Sequence, residues 1–203
     1  MAKFKLQTDK ILQGEFTLND VNVVLVFQVN CPGCFSYALP LFNKLYHHFN
    51  EKNISFLGLS TAFENFDKNT IKHTENLIET GALIGETKAF MKRQHIEKLP
   101  FSLDFPIAMD LIEDNLSRLD LAVDTICNLN PNFKLWPEFD KADLRRQVIT
   151  YINRLEKIPL TFTLNQLQGT PSFIVFNKSY DVLYQAFGHV EYEEIANKIA
   201  QFN

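Results

Sequence analysis

The clearest signal along the chain is Val23–Val29 (VVLVFQV), a continuous apolar and largely β-branched run. That pattern suits a strand covered on both faces of a sheet. Tyr37, Leu41, Phe42, Leu45, Tyr46 and Phe49 then recur at helical spacing, which predicts an amphipathic helix. Pro40 falls inside that pattern and is expected to kink it. Ile54–Leu59 (ISFLGL) reads as a second strand. Strand, helix and strand in this order make a βαβ unit, with a parallel pair and a right-handed crossover.

The end of the chain is equally legible. Ser172–Asn177 (SFIVFN) and Val182–Phe187 (VLYQAF) are strands joined by the turn-like KSYD, hence a hairpin. Gly188 closes it, and Tyr192–Gln201 reads as a terminal amphipathic helix. The middle is mostly helical, over Asn69–Thr80, Glu86–Ile96, Leu111–Asn128 and Lys141–Lys157. Phe105–Met109 is a short strand candidate there, and Thr161–Leu164 is either a short strand or an irregular lead-in. The expected fold class is α/β: a central mixed sheet flanked by helices, in one domain over residues 1–203. The core spans approximately 1–61 and 166–203. A helical insertion, approximately 62–165, lies between the βαβ and ββα halves and is expected to pack on the core.

Composition narrows the function classes. With 203 residues, 46% hydrophobic and 22% charged, the chain is neither disordered nor fibrous. The net charge of −4, without any long basic stretch, argues against nucleic-acid or membrane-surface partners. Three cysteines are too few for a secreted disulfide framework. A secretory leader needs an apolar run close to the start, and Gln7, Thr8, Asp9, Lys10, Gln13, Gly14 and Glu15 interrupt any such run. The block Val23–Val29 is too short to span a bilayer. Together with Met1 at the start, these features give the expectation of a cytoplasmic protein.

The candidate chemistry sits at Cys31 and Cys34, in CPGC immediately after the first strong strand. A cysteine at a helix N-terminus meets free backbone N–H groups and the positive end of the helix dipole, which favour a thiolate. The second cysteine lies one turn in, close enough to attack a mixed disulfide. Pro32 suits the first helical turn, where its missing N–H costs nothing. A single C-x-x-C without a second ligand pair is a poor zinc site, so a redox pair is the better reading. Cys127 sits among apolar neighbours and reads as a buried small hydrophobe. His47 and His48 lie near a helix end, and His189 follows the last strand. Phe133, Trp136 and Phe139 cluster in one loop, read as a plug that docks the insertion onto the core.

These stretches (VVLVFQVNCPGC, then Pro40, then GTPSFIVF, then VLYQAFG) resemble the thioredoxin superfamily. The resemblance is to the TlpA-like thiol–disulfide oxidoreductases and the related AhpC/TSA peroxiredoxins. It covers the front of the chain and its last stretch, and implies a thioredoxin-like fold. The TlpA-like branch also carries a helical insertion after the second core strand, and FPIAMD resembles its extra strand. Leu111–Gln168 has no counterpart there. By resemblance Cys31 is the nucleophile and Cys34 the resolving thiol. Thr170-Pro171 takes the place of the cis-proline that faces the motif, so Pro32, Gly33, Thr170 and Pro171 are expected to meet substrate. The implied partners are a protein or small-molecule disulfide and an external thiol reductant, with no metal or organic cofactor.

Departures from the family pattern matter. Leu25 stands where thioredoxins bury an acid, Asn30 where they carry tryptophan, and Ser36 where TlpA-like proteins often have glutamate. No obvious carboxylate therefore serves Cys34 as proton acceptor. An alternative alignment with the T-P-G-C of some peroxiredoxins makes Cys34 peroxidatic, which would require an arginine such as Arg145, Arg146 or Arg154 beside it. A non-catalytic redox sensor or binding module on the same scaffold is the other alternative.

Overall fold

The computed structural model describes residues 3–49, 53–114 and 119–202. Met1, residues 50–52 after the first long helix, and 115–118 inside the helix expected over Leu111–Asn128 lie outside the described residues. The chain opens with β1 (Thr8–Gln13) and β2 (Val21–Phe27). A π-helical turn, Cys34–Ala38, leads into α1 (Leu39–Phe49), followed by β3 (Ile54–Ser60). The middle holds α2 (Ile71–Thr80), α3 (Gly85–Lys92), β4 (Ile107–Asp110), β5 (Ile112–Glu113), α4 (Leu119–Cys127) and α5 (Glu138–Ile152). Then come β6 (Ile158–Pro159), α6 (Leu160–Leu164), β7 (Ser172–Asn177), β8 (Val182–Phe187) and α7 (Tyr192–Phe202).

The main sheet has six strands in the order β1-β4-β3-β2-β7-β8. β2, β3 and β4 are parallel neighbours, whereas β1, β7 and β8 run antiparallel to theirs. The βαβ unit and the closing hairpin thus share one mixed sheet. Side-chain alternation in β2 explains why all but Asn22 of its length is apolar. Val21, Val23, Leu25 and Phe27 enter the core beneath α1 and α7, while Val24 and Val26 enter the core on the opposite face. Such double coverage favours apolar side chains in a central strand, and the one buried polar residue of β2, Asn22, is satisfied by the Asn19 and Phe176 carbonyls (2.7 and 3.3 Å).

The larger core also takes Leu77, Leu83, Met91, Leu99, Leu103 and Phe105 from the middle of the chain. A separate apolar cluster is confined to α4, α5 and the segments beside them, around Val123, Phe133, Val148 and Ile158. Among the described residues, no helix is long and apolar enough to cross a membrane.

Three local features differ from the sequence expectation. β1 is an edge strand with mostly exposed side chains; backbone pairing to β4 makes it, so no apolar alternation marks it. Thr161–Leu164 is helical because Asp110 accepts the backbone N–H groups of Thr161 (2.8 Å) and Phe162 (3.2 Å), capping α6 from a distant strand. The start of the helix expected from Leu111 is instead β5, paired antiparallel with β6. Pro40 neither ends the helix nor lies in a regular turn. The preceding turn widens, with the Leu39 N–H bonded to the Cys34 carbonyl, before the chain resumes α-helical pairing. A proline ring crowds the carbonyl four residues before it, and a wider turn relieves that crowding.

The packing of the Phe105 ring against β3 needs Gly58. A Cβ there would lie 2.6 Å from Cε2 of Phe105, which is fully buried. Gly58→Ala is therefore expected to lower unfolding free energy by about 1–3 kcal/mol, the usual range for overpacking a filled core. Urea unfolding of the two proteins measures it.

Candidate redox site

β2 delivers the chain to the site through Gln28–Asn30. Pro32 and Gly33 are the first helical residues, and Cys34 begins the π-helical turn. Cys31 and Cys34 form a disulfide with their Cα atoms 5.4 Å apart, inside the span that bridged cysteines take. The Cys34 N–H donates to Cys31 Sγ (3.2 Å) and to the Cys31 carbonyl (3.0 Å). The first N–H groups of a helix lack intrahelical acceptors, so in the reduced protein they favour a Cys31 thiolate. Cys31 is half-buried, whereas Cys34 is 0% exposed. Only the first sulfur faces an incoming partner.

The loop before β7 closes over this sulfur. The Thr170–Pro171 peptide bond is cis, and the Thr170 carbonyl oxygen lies 3.5 Å from Cys31 Sγ. The Pro171 carbonyl accepts the Gly188 N–H at 2.9 Å, tying the loop to the end of β8. Beside it the half-exposed ring of Phe187 lies where a Cβ on Gly169 would be, 2.7 Å away. The His189 ring packs against Tyr37 at a tilt of 46°, 4.5 Å between ring centres. The Tyr37 hydroxyl is enclosed without a hydrogen-bond partner, and burial pushes it up to about 12.

The polar residues that hold the motif are ones the sequence reading left without a role. The Asn30 N–H donates to Asn69 Oδ1 (3.0 Å), and the Glu86 N–H at the start of α3 donates to Asn30 Oδ1 (2.7 Å). Thr87 Oγ1 donates to the Val29 carbonyl (2.9 Å). Gln28 Oε1 accepts from Thr170 Oγ1 (3.2 Å). The only hint in the sequence is that Gln28 and Asn30 are polar inside an otherwise apolar run. Gly85 is positive in φ, and a Cβ there would overlap Asn30 Oδ1, so glycine keeps α3 docked on the motif.

No family model matches the chain, and no curated protein is similar to it in sequence. Solved structures are similar in fold. A thiol-disulfide isomerase from Corynebacterium glutamicum matches 98% of this chain and 94% of its own, at 20% identity and a TM-score of 0.60. A thioredoxin-like superfamily protein matches 100% of this chain and 96% of its own, at 21% identity and a TM-score of 0.58. The fold is thioredoxin-like.

Within this thioredoxin-like frame the other candidates fall away from the cysteines' hydrogen-bond partners. Leu25, at the buried-acid position, is wholly apolar core. Ser36 is exposed and donates to the Gly33 carbonyl. Among the described residues, no carboxylate, imidazole or guanidinium is hydrogen-bonded to Cys31 or Cys34. Arg145 pairs with Asp124, and Arg146 with Asp143, on α4 and α5. Cys127 is buried in the separate cluster, and burial raises its thiol pKa. His47 pairs with Asp104, and His48 with the Tyr192 hydroxyl. The aromatic loop, expected to plug onto the core, does not pack against the sheet. Phe133 lies in the cluster around α4 and α5 with Trp136 against it, while Phe139 is 77% exposed. Phe133 and Trp136 therefore belong to the apolar cluster around α4 and α5.

Proposed function

We propose that the protein is a thiol–disulfide oxidoreductase in which Cys31 is the nucleophile and Cys34 the resolving thiol. The observation that carries this reading is the difference in exposure within one bridged pair: Cys31 is half-buried beside the cis-proline loop, and Cys34 is fully buried in the core. Reduced Cys31 attacks one sulfur of a substrate disulfide and expels the other as a thiolate. Cys34 then attacks the mixed disulfide at Cys31, releasing the second substrate thiol and leaving the Cys31–Cys34 disulfide. An external thiol reductant returns the pair to the dithiol. Pro32, Gly33, Thr170 and Pro171 border the exposed sulfur and would meet the substrate chain.

We place the protein in the cytoplasm, working in the reducing direction, since that compartment keeps thiols reduced. Its substrates would be protein or small-molecule disulfides. Burial of Cys34 weighs against its being a peroxidatic thiol, because peroxide must reach the attacking sulfur. The test is equilibration of the pair in glutathione or dithiothreitol buffers, with turnover of a protein disulfide followed alongside. A potential near about −270 mV with catalysed reduction is expected for a cytosolic reductase. A value near about −120 mV would reverse the direction. Reversible oxidation without turnover would leave only a sensor.

A further inference from the structure

The polar contacts around the cysteines close into a ring. The Asn30 N–H, one residue before Cys31, donates to Asn69 Oδ1. Asn69 Nδ2 donates to the Glu64 carbonyl (2.9 Å), and Gln28 Nε2 donates to the same oxygen (3.4 Å). Gln28 Oε1 accepts from the Thr170 hydroxyl, and the Thr170 carbonyl stands 3.5 Å from Cys31 Sγ. Gln28 and Asn69 are each 2% exposed. A buried carboxamide has both a donor and an acceptor to satisfy. Each of these uses both, and both meet at one backbone oxygen. The cysteine-bearing loop and the cis-proline loop are thereby referenced to a common point.

We infer that Gln28 and Asn69 are positioning residues that hold the Thr170 carbonyl against Cys31 Sγ and so bias Cys31 toward its protonated form. This rests on the proposed oxidoreductase reading and refines it. A carbonyl oxygen can accept from a thiol S–H and opposes a thiolate in the same place. It therefore counteracts the Cys34 N–H, which donates to the same sulfur. At a pH where Cys31 ionises, disfavouring the thiolate destabilises the reduced pair and makes the disulfide harder to reduce, which is the direction a reductase needs. Every member of the ring is neutral, so the bias does not itself titrate.

The experiment compares wild type with Gln28→Met, Asn69→Ala and the double variant. Gln28→Met removes both hydrogen bonds at nearly constant volume, so it remains informative if Asn69→Ala folds poorly. Two constants are read: the Cys31 thiol pKa, from the pH profile of iodoacetamide alkylation of reduced protein, and the equilibrium of the disulfide with glutathione. Each single variant is expected to lower the thiol pKa by about one unit and, at a pH above that pKa, to make the disulfide up to about tenfold easier to reduce. The double variant should shift no further, because one cut already opens the ring. Unchanged constants, or single effects that multiply in the double variant, would overturn the inference. Both constants are properties of the cysteine pair alone. Failure to turn over any protein disulfide would sink the functional reading and leave these titrations to decide the ring.

Discussion

Cys31→Ser is expected to reduce disulfide exchange to the uncatalysed background, whereas Cys34→Ser should still attack and then stall. The difference follows from access. Cys34 is 0% exposed and Cys31 is half-buried, so a substrate disulfide reaches only the first sulfur. With serine at position 31 no exposed thiolate remains, since Cys127 is also buried, and burial raises its pKa. With serine at position 34 the attack proceeds, but the tethered thiol that should release the product is gone. Well-oriented intramolecular groups act at effective concentrations of up to about 10⁵–10⁸ M, far above any thiol in solution. A covalent adduct of protein and substrate through Cys31 should therefore accumulate, visible by intact-mass spectrometry and cleared by added dithiothreitol. A peroxidatic Cys34 gives the opposite pattern, with peroxide consumption lost in Cys34→Ser and retained in Cys31→Ser. Equal loss in both variants without any trapped adduct would contradict the assigned roles.

The parts of this site that were legible in the sequence are those made by neighbours in the chain. CPGC lies directly between a doubly covered strand and a helix, and both elements announce themselves by period. The loop at Thr170-Pro171 sits one residue before β7, whose apolar run fixes its place in the sheet. The parts that were illegible are made at long range. Asn69 reaches Asn30 across 39 positions, and Thr170 reaches Gln28 across 142. Neither contact leaves a periodic trace, because a buried amide looks like any loop residue until its partners are known. β1 was hidden for a related reason. A polar edge strand takes its structure from backbone pairing with β4 rather than from burial, and charged side chains suit such an edge because they discourage pairing with other chains. The aromatic loop around Trp136 was misplaced because aromatic content indicates burial without saying against what. Its nearest apolar surface is α4 and α5, not the sheet.

Acidification from pH 7 to pH 4 is expected to stabilise this protein through Asp110. Its carboxyl is 1% exposed at the end of β4, and burial raises its pKa from 3.8 to about 6. Hydrogen bonds from the Thr61 hydroxyl (2.7 Å) and the Thr161 and Phe162 N–H groups only partly offset that desolvation. The folded state thus binds the proton more tightly than the unfolded state. Its stabilising contribution is complete below about pH 4 and is lost as pH rises through about 6. The span corresponds to about 3 kcal/mol, a sizeable share of the 5–15 kcal/mol typical of a domain. Asp104, Glu138 and Asp181 have lowered pKa values, so their contributions are present above the ordinary carboxylate range and are lost as pH falls below it. Asp110→Asn should flatten the pH dependence, since it removes the titration while keeping one acceptor. Asp110→Ala should cost about 3–5 kcal/mol at every pH in the window, because several buried donors lose their acceptor together. The damage should fall first on α6, which Asp110 caps, and on the β5–β6 pair just before it in the chain. Urea unfolding at half-unit pH steps measures the slope. Hydrogen exchange at Thr161 and Phe162 locates the weakness. A wild-type stability that falls steadily between pH 7 and pH 4 would mean that the hydrogen bonds, not desolvation, govern Asp110.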